Sequence, residues 1–214
     1  MRLTIVYDNE VFGENPNLKS DWGFSCFIEG KENILFDTGT KGDILISNIE
    51  ALNVDPREID KIVISHEHFD HNGGLGEILK HTKDVEIYRI KGSIPGVKVI
   101  EVGEEKVELA DGIWSTGKLG GLFIKEQSLV LEGKEGWYVL VGCSHPGVDK
   151  ILERARDIGD VVGIIGGFHG FKKLEVFEEL KFICPCHCTS LKREILERFP
   201  DKSSRCGVGK VIEI

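Results

Sequence analysis

Apolar and polar positions alternate through the first third of the chain and predict strands. Residues 2–8, 23–29 and 33–37 are apolar and β-branched, and Gly and Asn break them apart. At 41–52 the period changes. Leu45, Ile49 and Leu52 recur at helical spacing, which predicts a helix. "VDPRE" at 54–58 reads as a turn or a helix start, and the apolar run 61–66 as a buried strand. Asn72 is placed to cap a helix through about residue 80.

The middle predicts strands at 84–90, 97–102, 112–116, 121–125, 127–132 and 137–142, with "EGKEG" at 132–136 as a hairpin turn. The last third alternates: helix 147–158, strand 160–166, helix 173–180, strand 181–185, helix 189–198 and strand 208–213. Two β-sheets face to face with helices outside would satisfy this order. No repeat and no Pro- or Ser-rich linker divides residues 1–214, so a single domain is expected.

Composition narrows the classes. Hydrophobic residues make up 41%, enough to build a core, so disorder is excluded. The net charge of −9 argues against broad binding to nucleic acid or an anionic membrane. No apolar run approaches a membrane helix in length, and the start has no signal-peptide layout, so a cytoplasmic protein is expected. In that compartment the six cysteines read as thiols or metal ligands rather than disulfides. One Met and one Gln (Gln127), beside many Lys and Glu, lean towards a thermophile.

The concentrated chemistry is "SHEHFDHNGG" at 65–74. His66 and His68 sit two apart, so in an extended segment both rings point one way and can reach one ion. Asp70 and His71 follow a bend and can face a second. Nitrogen and oxygen donors of this kind suit zinc, iron or manganese. A solvated charged loop is the alternative, but four ligand-type residues directly after a β-branched run favour metal.

"HEHFDH" resembles the signature of the metallo-β-lactamase superfamily, and "ILFDTG" at 34–39 matches its early Asp motif. The resemblance implies an α/β fold, an αββα sandwich of two mixed sheets with outer helices and metals at one sheet edge. It implies that His66 and His68 bind one metal, that Asp70 and His71 bind the other, and that Asp37 orients the site through hydrogen bonds.

Further ligands are needed, and three histidines follow predicted strands: His145 in "VLVGCSHPGV", His169 in "GIIGGFHGF" and His187 in "FICPCHCTS". His145 and His187 are the expected metal ligands. His169 fits a metal contact or a substrate-contacting loop. His81 is expected at the surface. "GCSHPGV", "GGFHG" and "PCHCT" together resemble the branch described as 7,8-dihydropterin-6-methyl-4-(β-D-ribofuranosyl)-aminobenzene-5′-phosphate synthase-like. Against the hydrolytic pattern of the superfamily, "WSTGKLGG" lacks a His, and Cys143 stands about where a bridging Asp is usual. Cys143 is either a thiolate ligand or a small buried residue. The three cysteines of "CPCHC" read as small buried side chains, with a structural zinc cluster as the alternative.

A pair of divalent ions, zinc first, would supply hydroxide near neutral pH. Asp70 is then both ligand and proton acceptor. The expected function is metal-dependent hydrolysis of a small anionic metabolite. A substrate phosphate would sit near Asn72–Gly74 or in the "GGFHG" loop. The alternatives are synthase-type chemistry on a pterin precursor and a non-catalytic metal-dependent binding module. No nucleic-acid or membrane partner is expected.

Overall fold

The computed structural model describes residues 1–120 and 124–214. The chain begins with strands β1 (Arg2–Tyr7), β2 (Ser25–Glu29) and β3 (Ile34–Phe36), then helix α1 (Gly42–Ala51) and strand β4 (Lys61–Val63). Two one-turn helices follow, α2 (Phe69–Asn72) and α3 (Leu75–Ile78), then β5 (Glu86–Arg89) and β6 (Lys98–Glu101). The second stretch runs β7 (Val107–Ala110), β8 (Ile113–Ser115), β9 (Leu119–Gly120), β10 (Lys125–Glu126), β11 (Leu129–Gly133), β12 (Gly136–Val141), α4 (Val148–Arg156), β13 (Val161–Gly167), β14 (Phe182–Cys186) and α5 (Lys192–Arg198). Strand β15 (Val211–Glu213) closes the chain.

These elements form two compact units. The first comprises Met1–Val102 and Cys206–Glu213. Its sheet, among the described residues, has the order β15-β1-β2-β3-β4-β5-β6. Pairing is antiparallel from β15 to β3 and parallel from β3 to β6. The helical period read at 41–52 is real: Leu45, Ile46 and Ile49 of α1 are buried against Val6, Leu35 and Ile62 of the sheet. Because β3 and β4 are parallel neighbours, their C-terminal ends lie side by side, with Phe36 opposite Val63. Asp37 and the His-rich loop therefore leave the sheet next to each other.

The second unit comprises Gly103–Arg205 and Ile214. Its larger sheet has the order β14-β13-β12-β11-β8-β7 among the described residues, and β9 pairs with β10 in a separate ribbon. Strands β12, β13 and β14 are parallel, and the rest of the sheet is antiparallel. Helix α4 buries Val148, Ile151, Leu152 and Ala155 among Val139, Val141, Ile164 and Ile183. The "EGKEG" hairpin is present, Gly133 pairing with Gly136.

Several expected boundaries shift, each for a local reason. Asn72 caps nothing: it ends α2, and its side-chain N–H donates to Glu67 at 3.1 Å. The helix expected from 72 to 80 is instead two single turns joined at Gly73–Gly74, where a Cβ would strike the Thr40 and Thr38 carbonyls. No extended helix start exists there for a phosphate. The helix expected at 173–180 is a 3₁₀ turn over Leu174–Phe177. Helix α5 starts at Lys192 rather than 189, because the Thr189 hydroxyl is bonded to the Cys186 carbonyl at 2.7 Å. Strand β7 adds an edge that the pattern did not announce, and the strand expected at 121–125 falls mainly on residues outside the described ones.

Candidate metal centre

In the first unit the Asp37 carboxylate organises the loop. It is fully buried and sits at φ 58°, a left-handed conformation that a non-glycine residue adopts at a cost. Its Oδ1 accepts the Ser65 backbone N–H at 2.7 Å. Its Oδ2 accepts the Ser65 hydroxyl at 2.8 Å and the His71 Nδ1–H at 2.7 Å. An ionised carboxylate only accepts, so the His71 proton is on Nδ1 and the Nε2 lone pair is left for a ligand.

The Ser65 hydroxyl also lies 2.9 Å from His66 Nδ1. With its proton given to Asp37, that oxygen accepts from Nδ1 and leaves His66 Nε2 as the donor atom to an ion. His66 Nε2 is 3.1 Å from His68 Nδ1. The His66 ring centroid is 4.6 Å from that of His68 and 4.2 Å from that of His71. Three imidazoles thus converge, two of them buried.

The residues between them point elsewhere. Glu67 takes an ion pair with Arg89 and a hydrogen bond from Asn72, so it is committed away from the rings. Asp70 accepts the Trp22 indole N–H at 2.9 Å, and its Oδ2 lies 3.9 Å from His71 Nε2. The Trp22 loop is tied by the Asp21–Lys41 ion pair at 2.6 Å, and the Lys41 ammonium holds Asp21 below the usual carboxylate range. Trp22 and Phe69 are themselves 56% and 67% exposed.

In the second unit the three later histidines all leave the C-terminal ends of adjacent parallel strands: His145 after β12, His169 after β13, His187 after β14. Carboxyl ends of parallel strands are where open sheets bind ligands. Ser144, His169 and His187 have φ of 61°, 44° and 44°. With Asp37, four of the non-glycine residues with positive φ therefore fall on the expected site loops, which is where such strain concentrates.

Glu126 holds the first of these loops. It is fully buried, and its carboxylate accepts the backbone N–H groups of Cys143 (2.9 Å), Ser144 (2.9 Å) and His145 (2.8 Å). Ser144 donates its hydroxyl to the Gly167 carbonyl at 2.7 Å, and Thr189 Oγ1 accepts the Phe168 N–H at 2.9 Å. The rings of His145 and His169 are 5.1 Å apart and line a cavity of about 260 Å³ with Phe168 and Phe171. His187 and Cys143 are each 3% exposed, and a ring nitrogen of His187 lies within 4.8 Å of the Cys143 sulfur.

Strand β14 ends at Cys186, and His187 sits in the turn that follows, at φ 44°. Cys184 and Cys186 are buried with sulfurs 4.0 Å apart. His81 is at the surface, 3.5 Å from Glu77. Glu126, Ser65, Thr189 and Trp22 were not singled out by the sequence.

The donor set suits a divalent ion: His66 and His71 with oriented rings, the Asp70 carboxylate beside them, and the outer Asp37 carboxylate bonded to His71. Among the described residues, no helix is long and apolar enough to cross a membrane.

Comparison with known proteins bears on the family and the fold. The family model described as metallo-beta-lactamase superfamily matches residues 23–162. A Methanocaldococcus jannaschii protein named 7,8-dihydropterin-6-methyl-4-(beta-D-ribofuranosyl)-aminobenzene-5′-phosphate synthase is 28% identical over 278 aligned positions, covering 94% of this chain and 92% of that one. The crystal structure of Tm1679, described as a metal-dependent hydrolase of the beta-lactamase superfamily, matches with TM-score 0.80 at 25% identity, over 100% of this chain and 99% of that one. The metallo-beta-lactamase fold protein YhfI from Bacillus subtilis matches with TM-score 0.72 at 12% identity, over 99% and 98% of the two chains.

Proposed function

This chain belongs to the metallo-β-lactamase superfamily, and on that premise we propose that it is a metal-dependent hydrolase acting on a small anionic metabolite. The observation that carries this reading is the Asp37–His71 hydrogen bond at 2.7 Å beside three converging imidazoles. A carboxylate that fixes a histidine tautomer is the standard support of a metal ligand. The proposed ligands are His66, His68, Asp70 and His71, which the family resemblance assigns, with His145 and His187, whose positions at strand ends suit the further ligands that a metal needs. Cys143 or His169 is a further contact to metal or substrate. The whole chain acts as one functional domain, in keeping with the full-length match to Tm1679.

These side chains would hold two divalent ions, zinc first with iron or manganese as alternatives, which when bound would lower the pKa of a water and polarise a substrate oxygen. The chain's own residues do the rest. Asp37 keeps His71 in the tautomer that presents Nε2. Trp22 orients Asp70 through its indole N–H. Asp70 would serve as the proton acceptor for the attacking water. Glu126 fixes the loop that carries His145. The phosphate expected in the substrate is assigned to the "GGFHG" loop, where the cavity beside His169 offers room.

A second reading is favoured by the name of the M. jannaschii relative: synthase-type chemistry on a pterin precursor bearing a ribose phosphate. The third, a metal-dependent binding module, keeps the ligands without turnover.

The test is metal analysis of protein purified without added metal, for wild type, His66→Ala and His187→Ala, followed by turnover of generic phosphodiester and thioester substrates. About two ions per chain, lost in both variants, with turnover abolished in Asp70→Ala, is the expected result. Absence of metal even after reconstitution overturns the proposal. Full metal loading without hydrolysis moves the assignment to the second or third reading.

A further inference from the structure

Cys143 and Cys188 bring their sulfurs to 3.3 Å within the second unit. Neither backbone is free to relax. The Cys143 N–H is held by Glu126 at 2.9 Å, and the turn carrying Cys188 is closed by the Thr189 N–H on the Cys186 carbonyl at 3.1 Å. The Ser190 N–H on the His169 carbonyl at 2.8 Å holds the far side of that turn. Gly167 leaves the space the sulfurs use: a Cβ there would lie 2.8 Å from Cys188 Sγ and 3.4 Å from Cys143 Cα. Cys188 is partly exposed, whereas Cys143 is 3% exposed.

From this geometry we propose that Cys143 and Cys188 are a modification site, a dithiol that a hydroperoxide converts reversibly into a disulfide. The inference goes beyond the hydrolase reading and does not depend on it. Cys188 Sγ, the reachable sulfur, attacks the peroxide O–O bond. One oxygen transfers to sulfur as a sulfenic acid, and the other leaves as water, or as an alcohol from an organic hydroperoxide, with the thiol proton. Cys143 Sγ then attacks the sulfenic sulfur. The S–S bond forms, the S–O bond breaks, and the second oxygen leaves as water with the Cys143 proton. Closure from 3.3 Å to a disulfide length needs a movement of about 1.2 Å, small enough for rotation of the two side chains.

The competing pair is Cys184 and Cys186. Their sulfurs are 4.0 Å apart, but they are alternate residues of one strand and both fully buried. Alternate strand positions hold their Cα atoms near the upper limit that a disulfide tolerates. Because Cys143 and Cys188 flank His145 and His187, the bond would link the two loops on which those histidines sit.

The experiment is peptide mapping by mass spectrometry of the full chain, with and without hydrogen peroxide and then dithiothreitol. Titration of the six thiols runs in parallel. The expected result is loss of two thiols and a peptide joining Cys143 to Cys188, lighter by about 2 Da than its two reduced parts. Dithiothreitol restores both thiols, and Cys188→Ser does not form the peptide. The proposal is overturned if Cys188 advances to sulfinic acid while Cys143 stays a thiol. It is equally overturned if the linked peptide joins Cys184 to Cys186, or if no linked peptide forms in wild type.

Discussion

The Asp37 carboxylate reaches His71 Nδ1 at 2.7 Å while holding the Ser65 backbone N–H and hydroxyl, so one buried acid sets both the path of the loop and the tautomer of His71. Asp37→Asn keeps the shape but puts an amide where two donors meet. Metal affinity is expected to fall about 10–100-fold, the usual cost of losing such a support. Competition with a chelator of known affinity measures it. Unchanged affinity would remove Asp37 from the metal site.

Glu126 accepts three consecutive backbone N–H groups, from Cys143, Ser144 and His145. Glu126→Ala leaves these buried donors without that acceptor. A loss of about 3–6 kcal/mol is expected, at 1–3 kcal/mol for each donor with partial relaxation. Urea unfolding reads this directly. A loss under about 1 kcal/mol would mean that the loop finds other acceptors.

Gly39 stands at φ 63°, and a Cβ there would fall 2.5 Å from Tyr7 ring carbons. Gly39→Ala combines a left-handed backbone with overpacking of a buried ring. Destabilisation of about 2–4 kcal/mol is expected. A thermal melt that matches wild type would show that Tyr7 can move aside.

Trp22 is 56% exposed yet donates its indole N–H to Asp70 at 2.9 Å. Trp22→Phe should leave stability within about 0.5 kcal/mol, as expected of a surface site. If Asp70 handles the proton, turnover on a hydrolysed substrate should fall about fivefold, roughly 1 kcal/mol of lost orientation. Equal turnover in the two proteins would separate Trp22 from the chemistry.

Burial is the main cause that raises the Tyr7 phenol above the ordinary value of 10.0, and the Lys41 N–H donates to its oxygen at 3.1 Å. The folded chain keeps this proton at a pH where the unfolded chain has released it. Its contribution to stability is therefore complete below pH 10.0 and is lost as pH rises through the folded value. Tyr88, pushed up to about 12, acts with the same sign. The difference between wild type and Tyr7→Phe in urea unfolding, followed from pH 8 to pH 11, should shift against wild type only above about pH 10. A flat difference would mean that Tyr7 does not titrate as its burial requires.

The family was legible because ligand-type residues carry chemistry in their identity. "HEHFDH" and "ILFDTG" are visible in any register, and the run of apolar strands ending at His145, His169 and His187 needs only periodicity to be seen. Glu126 was not legible in the same way. It acts on backbone N–H groups, and no residue pattern records which main-chain donors converge on a carboxylate. Asn72 misled because a capping signature is local, whereas its actual partner, Glu67, is chosen by the ion pair that Arg89 brings from β5. Strand β7 escaped because an edge strand exposed at Val107 and Glu108 has little apolar alternation to show.

Strand β15 pairs with β1, Arg2 opposite Glu213, on the side of β1 away from β2. During synthesis β2 arrives almost at once, but β15 arrives only after Gly103–Arg205 has been made. Until then β1 is an open sheet edge, the kind of surface that recruits strands from other chains. The growing polypeptide thus exposes the six-residue edge of β1, which β15 later covers and replaces with an edge of three residues. Chains lacking β15 would keep the longer edge of β1 open permanently.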